Sequence, residues 1–375
     1  MDLELSAEQQ ALAESVATFV DAECPMSLVR RVVEEGKDAD ELWNAMVALD
    51  WPALTVPEAD GGIGFGPVEL AVVAEQLGRV LCPAPFLSTA GQFVPAVAEA
   101  GTAEQRHRFL GPVAAGTVVG TLAVAEADGR FGIDSITTTA TPSGAGWRLD
   151  GEKHYVFDAG RADEVVVAAR LPGTSGEEGV GLFVVAQEAL RITPLHSLDG
   201  TRPLAAVRLD GVEVDADRAL GEPGTQAVAL RRALEVATAA LAAEMVGTSQ
   251  AIFDTVHGYV QEREQFGVKI GSFQAIKHKL ANMYVALEAA RATAYFAAAA
   301  IDEEDERRSE AVWTAKSSAG DCQKLMAQEG IQCLGGIGYT WEHDMHLYVK
   351  RQKVQAAMFG TGAEHRARLA AHLGL

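Results

Sequence analysis

The hydrophobic period of this chain changes twice along its length, and that double change limits the possible folds more than any other feature. From Ser6 to about Ala115 apolar residues recur every three to four positions, as in ALAESVATFVDAE, and Ser6 ahead of Glu8 and Gln9 marks a helix start. The stretch VPEADGGIGFGPVEL interrupts the pattern with Pro57, Pro67 and four glycines before a further helical run, VELAVVAEQLGRVL. Between about Thr117 and Gly224 the period falls to two in VVGTLAVAEA, WRLDGEKHYVF, EVVVAAR, GLFVVA and AAVRLDGVEV, each closed by Gly, Pro, Asp or Ser. From Gln226 onward the chain is again helical and rich in alanine, broken at IDEEDERRSE, a helix-helix loop or solvated helix end. The pattern predicts an N-terminal α-helical domain over 1–116, an antiparallel β-domain over 117–224 and a C-terminal four-helix bundle over 225–375. Leu280, Met283, Leu287 and Ala290 are expected in the bundle core.

Charge and cysteine usage narrow the function. A formal net charge of -21 with no block of Lys or Arg argues against nucleic acid, whose phosphates need a concentrated basic face. Cys24, Cys82, Cys322 and Cys333 have no metal-ligand spacing and read as reduced, buried thiols. The N-terminal MDLELSAEQQ opens with acids and not with a basic, then apolar, leader. No run reaches the ~18 consecutive apolar residues of a membrane span. The expectation is a cytoplasmic protein with no membrane partner. His343 and His346 in WEHDMH lack a third ligand in context, so no metal is assigned. The strings of a serine hydrolase, a P-loop ATPase or a zincin do not occur, and the Gly-rich loops do not follow the strand of a βαβ unit.

One stretch carries more chemistry. QCLGGIGYT, from Gln332 to Thr340, packs three glycines into four positions, which fits either a turn between helices or a backbone cradle for an anion. It occurs together with Arg263-Glu-Gln-Phe-Gly267, with Gly271-Ser-Phe-Gln274, and with VPEADGGIGFGPVELAVVAEQLGRVL and DGEKHYVFDAGRADEVVVAAR upstream. Taken in order, these strings resemble the acyl-CoA dehydrogenase family over essentially the whole chain. The resemblance implies that fold, FAD as cofactor, an acyl-CoA substrate, a homo- or hetero-tetramer and an electron-transfer flavoprotein as acceptor. In that family FAD lies between subunits, and Arg263, Phe266, Gln274, Gln332, Gly335 and Gly336 match the residues that reach a neighbour's adenosine and pyrophosphate. Tyr155 and Thr361 are further cofactor-binding candidates by the same resemblance. A guanidinium suits a pyrophosphate, and Gly-Gly leaves backbone N–H groups accessible.

Other positions depart from the family. Family members commonly carry Glu-Gly-Thr in the last helical region, where Glu removes the α-proton; here the string is Met358-Phe359-Gly360-Thr361, so the base is missing from position 359. Some relatives place it on the first helix of the C-terminal domain, at a position matching Ala237. Two turns further on, Glu244 lies in a stripe of small residues formed by Ala233, Ala237, Ala240, Gly247 and Ala251, which permits close approach of a ligand or of another helix. Glu244 is the candidate base if it faces an apolar cavity that raises its pKa; the alternative is a Glu paired with a basic residue on a packed neighbour. In the β-domain the family's TEPxAGSD is replaced by Ala125 to Asp134, and its Trp-Ile-Thr by Tyr155-Val156-Phe157, which removes hydroxyls that would bond a flavin ring. This combination resembles an actinobacterial branch that degrades steroid side chains, in which unlike subunits form heterotetramers and one type lacks the base. The implied function is α,β-dehydrogenation of a bulky, steroid-derived acyl-CoA, alone or as the base-lacking subunit of a heteromer. The alternatives are a flavin monooxygenase on the same fold and a non-catalytic subunit that completes a partner's FAD site.

Overall fold

The computed structural model describes residues 4–375; Met1–Leu3, the start of the acidic opening, lie outside the described residues. The N-terminal helices are α1 (Ala7–Glu23), α2 (Met26–Glu35), α3 (Asp40–Val47), α4 (Pro67–Arg79), α5 (Phe86–Ser88), α6 (Val94–Ala100) and α7 (Ala103–Ala114). Ser6 opens α1 through a capping box: its hydroxyl accepts from the Gln9 amide while the Gln9 side chain accepts from the Ser6 amide. A π turn at Thr89–Phe93 joins α5 to α6.

The middle region is a seven-stranded sheet of β1 (Gly120–Ala123), β2 (Thr139–Ser143), β3 (Gly146–Phe157), β4 (Glu164–Arg170), β5 (Val180–Ala186), β6 (Arg191–Pro194) and β7 (Leu204–Val214). Strand order is β1-β4-β2-β3-β7-β6, with β5 also on β4. The sheet is not wholly antiparallel as the period-two pattern suggested. β1 runs parallel to β4, from Gly120↔Glu164 to Ala123↔Val167, and Thr139 of β2 makes a parallel bridge to Arg170. A parallel neighbour needs a long crossover, and the chain from Val124 through β2 and β3 supplies one.

The C-terminal region has three long helices, α8 (Ala227–Glu262), α9 (Gln274–Asp302) and α10 (Arg308–Leu334), and two shorter ones, α11 (Met345–Ala357) and α12 (Gly362–His372). A two-residue hairpin, β8 (Glu264–Gln265) and β9 (Val268–Lys269), separates α8 from α9. Met283, Leu287 and Ala290 are fully buried in the bundle core, and Leu280 packs against it. All four cysteines are buried and unpaired. Despite the absence of a long unbroken apolar run, α8 has the length and hydropathy to cross a bilayer; 78% of its most apolar window is buried inside the protein, as in a core helix.

The small-residue stripe of α8 is filled by another helix. A Cβ placed on Gly247 would lie 1.9 Å from the Glu75 carbonyl oxygen, and one on Gly78 would lie 2.1 Å from that of Glu244. The backbones of α4 and α8 therefore cross in direct contact through reciprocal glycines, and Ala240 packs on Gly91. Glu75 secures the crossing from the α4 side, accepting from Arg291 Nε at 3.0 Å and Tyr295 Oη at 2.9 Å, both on α9.

Candidate functional site

The turn between α11 and α12 holds Phe359 in a left-handed conformation (φ 56°), with Gly360 at φ +100° beside it. A left-handed phenylalanine costs about 1 kcal/mol or more, so the surroundings must enforce it. They do so from two sides. Lys316 of α10 is fully buried and donates to the carbonyls of Gln355 (3.0 Å), Ala356 (3.2 Å) and Gly360 (3.0 Å), and burial pushes its pKa down to about 7. His365 of α12 donates from Nε2 to the Phe359 carbonyl at 3.1 Å. The Phe359 ring is buried against Phe131 and Phe157, with centroids 5.1 and 5.9 Å away. It forms one wall of a cleft of about 370 Å³ between the loop at Phe131–Asp134 and helices α8, α10 and α12.

No carboxylate lining this cleft is poised as a free base. Glu235 accepts from Arg308 Nε at 2.7 Å and from the Ser309 hydroxyl, and Glu177 is paired with Arg231. Asp134 is exposed near Arg130. Glu244 does not line the cleft; polar partners, and not an apolar wall, surround its carboxylate. Its fully buried carboxylate accepts from Arg202 Nη1 (2.9 Å) and Nη2 (2.5 Å), from Arg351 Nη1 (2.9 Å) and from Gln355 Nε2 (2.8 Å). Burial alone would raise its pKa, but the two guanidiniums outweigh that and lower it. The pairing alternative is the one observed. Arg351 continues the network to Asp199 Oδ2 at 2.6 Å and to the Thr201 hydroxyl, and the Arg202 guanidinium stacks 5.1 Å from the Phe157 ring.

On the β-domain side, Tyr155 also has a left-handed backbone (φ 56°), at a register shift between β3 and β7, and its half-buried ring packs at the edge of the bundle core. Phe157 is buried at the end of β3 and presents only hydrocarbon to the cleft side. The segment in place of TEPxAGSD is anchored by Glu126, which accepts from the amides of Thr137 (2.9 Å) and Thr138 (2.8 Å) and from Lys153 Nζ (2.9 Å). Those donors outweigh burial and hold the Glu126 carboxyl down at about 2, while burial lowers Lys153 to about 8. Thr361 caps α12: its hydroxyl accepts from the Glu364 amide at 3.3 Å and donates to Glu364 Oε2 at 2.8 Å. Its one hydroxyl proton is committed within its own chain, while the residue itself is exposed.

The remaining cofactor candidates gather at one end of the bundle. Arg263 caps the end of α8, Phe266 is at the tip of the β8-β9 hairpin and Gln274 starts α9. Gln332, Gly335 and Gly336 lie at the end of α10, which the Lys279–Glu329 pair places beside the start of α9. All six are exposed, Phe266 at 93%. Gly335 takes φ +66°, and a Cβ on Gly335 or Gly336 would meet nothing within 4 Å, so the turn offers an open backbone surface. Tyr284, Val285, Tyr339 and Trp341 are also exposed. His346 stacks on Trp341 at 4.4 Å, and His343 Nδ1 accepts from the Met345 amide.

The residues that the sequence did not single out are Arg202, Arg351, Lys316 and His365. Their only sequence signal is a basic or imidazole side chain in an otherwise apolar or small-residue context, as in DGTRPLA and AVWTAKSSAG.

Residues 6–117 match the acyl-CoA dehydrogenase N-terminal domain, and residues 227–374 match the acyl-CoA dehydrogenase C-terminal domain. The chain is 30% identical over 364 residues to the acyl-CoA dehydrogenase IpdE2 of Mycobacterium tuberculosis, covering 96% of each protein. Among solved structures it is similar to a chain of the ChsE4-ChsE5 complex from Mycobacterium tuberculosis (TM-score 0.90, 26% identity, 100% of this chain and 99% of that one). It is also similar to a chain in the structure of the electron transferring flavoprotein of Acidaminococcus fermentans (TM-score 0.91, 26% identity, 100% and 99%). By these matches the chain belongs to the acyl-CoA dehydrogenase family, FAD-dependent oxidoreductases acting on the CH–CH bond of acyl-CoA thioesters.

Proposed function

We propose that this chain is the base-lacking subunit of a heteromeric acyl-CoA dehydrogenase that acts on a bulky, steroid-derived acyl-CoA. The observation that carries the reading is Phe359: the backbone turn that would present a base is kept, left-handed and braced by Lys316 and His365, while the side chain is an aromatic ring packed on two others. The cofactor fits one end of the chain and not the other. At the bundle end, Arg263 and the open Gly335–Gly336 turn suit the pyrophosphate of a FAD held mainly by a neighbouring subunit, with Phe266, Gln274 and Gln332 beside it. At the cleft, Phe157 and Phe359 offer no donor to a flavin ring. FAD, when bound, supplies the hydride acceptor; this chain's part is to orient and shield the far end of the cofactor while an unlike subunit provides the proton acceptor.

The resemblance to a chain of the ChsE4-ChsE5 complex supports unlike subunits, assembled here as a tetramer. The electron acceptor in this reading is an electron-transfer flavoprotein, and the assembly is cytoplasmic. The deciding experiment is flavin per chain, by absorbance after denaturation, on the protein purified alone and with a co-expressed acyl-CoA dehydrogenase partner. The expected result is folded, FAD-poor protein alone and FAD retained in the complex. Near one FAD per chain in the lone protein would overturn the reading.

A further inference from the structure

The segment 335–344, which joins α10 to α11, begins with the glycine cradle and ends in Trp341-Glu342-His343-Asp344. Its own hydrogen bonds are few. Gly335–Tyr339 form a single 3-10 turn, the Thr340 amide and hydroxyl donate back to the Ile337 carbonyl at 3.1 and 2.9 Å, and the His343 amide reaches the Thr340 carbonyl at 3.4 Å. Short 3-10 turns have poor hydrogen-bond geometry, and glycines lose the most freedom on ordering, so such a cradle does not hold its shape unaided. The hydrogen bonds that reach this segment from the N-terminal helices come from one side chain, Arg30 of α2. Its Nε donates to Asp344 Oδ1 at 2.6 Å, and its Nη2 donates to the carbonyls of Trp341 and Glu342, both at 3.1 Å. Nη1 is held by Glu34 Oε1 at 3.0 Å on the same helix. The helix beneath is a firm base, because Val29 is fully buried in the N-terminal core.

Asp344 shows what this contact displaces. It stands at the N-cap of α11, where an Asp carboxylate ordinarily accepts from the first helix amides, yet it makes no such bond; its oxygen is on Arg30, and His343 Nδ1 accepts from the Met345 amide instead. We propose that Arg30 is a positioning residue for the cofactor cradle: from α2 it holds residues 341–344, and through them the Gly335–Gly336 turn, in the shape that receives the pyrophosphate of a neighbouring subunit's FAD. This role rests on the reading that the bundle end serves a neighbour's cofactor. Only a planar fork can join one carboxylate and two carbonyls of the same segment at once. A turn held in its bound shape spares the ligand the cost of ordering it.

The test compares Arg30→Gln, and Glu34→Gln as the control that leaves the loop contacts in place, with the unmodified full-length chain. Amide exchange of the lone protein, followed by mass spectrometry, is the first readout. Arg30→Gln should speed exchange at Thr340, His343 and Met345 roughly tenfold. The urea midpoint should stay in place, since a partly exposed ion pair adds little to global stability. FAD retained after gel filtration is the second readout, taken in whichever assembly of the unmodified chain holds FAD, with a co-expressed partner or alone; Arg30→Gln should bind it roughly fivefold more weakly. Glu34→Gln should match the unmodified chain in both. Unchanged exchange or unchanged FAD retention in Arg30→Gln overturns the proposal, as does a fall in the urea midpoint large enough to account for the faster exchange. Near one FAD per unmodified lone chain overturns the subunit reading and not the role of Arg30, which is then decided by the same comparison in that homo-oligomer.

Discussion

Glu244→Gln separates a structural role from a catalytic one. In the folded chain the Glu244 carboxylate accepts four hydrogen bonds, three of them from guanidinium nitrogens, with every partner buried. Glutamine retains the shape but removes the charge and turns an N–H₂ group toward at least one arginine. Arg351 keeps Asp199 as an anion, whereas the anion hydrogen-bonded to Arg202 is lost. Removing one partner of a buried ion pair costs about 3–5 kcal/mol, because the remaining charge is left without compensation. Urea unfolding followed by circular dichroism should therefore show a midpoint lowered by that amount divided by the m-value. Glu244→Met with Arg202→Met should be less destabilised than Glu244→Met alone, since no orphan cation remains. The reasoning is refuted if Glu244→Gln changes stability by less than about 1 kcal/mol. It fails equally if the FAD-loaded assembly containing the variant, at unchanged stability, loses dehydrogenation a hundredfold or more.

Further outcomes follow from other sites. Gly247→Ala, which would stabilise an exposed helix by about 1 kcal/mol, should instead cost about 2 kcal/mol or more in thermal unfolding, because its Cβ would meet the Glu75 carbonyl at 1.9 Å. Glu126 has a folded pKa of about 2, below its ordinary value of 4.5. Its contribution, ~2 kcal/mol, is present in full above pH 4.5 and lost as pH falls toward 2; Glu126→Gln should remove that part of the acid dependence and speed amide exchange at Thr137 and Thr138. His365, lowered from 6.5 to about 4, leaves the folded state short of a proton relative to the unfolded chain across that window. Stability should thus decline between pH 6.5 and 4, and His365→Gln should show a shallower decline in a pH series of unfolding midpoints. Gly336→Leu places its side chain in open space and should leave the lone chain's stability unchanged, while FAD retention in the assembled complex falls, read by absorbance after gel filtration.

The fold was legible wherever a local period decides the outcome. The switch between periods at about Thr117 and Gly224 corresponds to the start of β1 at Gly120 and of α8 at Ala227, and the Ser6 cap appears where the sequence placed it. The parallel pairing of β1 was not legible, because a strand's partner is set by the crossover that follows it and not by its own alternation. The same limit applied to Glu244. Its small-residue stripe was visible, but its partners Arg202 and Arg351 are 42 and 107 positions away, and no local pattern shows which face α4 covers. His365 carried no sequence signal, since its hydrogen bond to the Phe359 carbonyl is a property of packing. Phe359 stood out in the sequence because it sits in a short string, Met358-Phe359-Gly360-Thr361, that otherwise resembles the family's Glu-Gly-Thr.

The charges around Glu244 come from three separate parts of the chain: Asp199, Thr201 and Arg202 from the loop before β7, Glu244 from α8, and Arg351 and Gln355 from α11, with Arg351 also reaching the Cys82 carbonyl after α4. A segment excised at the change of period near Gly224 would carry buried ions without their partners. The chain should consequently resist dissection: fragments ending near Gly224 or beginning at Gln226 would expose an uncompensated network where a smooth core should be. Exchange of the middle region between relatives would succeed only if residues 199–202 travel together with positions 244 and 351, so recombination within this family is constrained by a charge inventory that no single region contains.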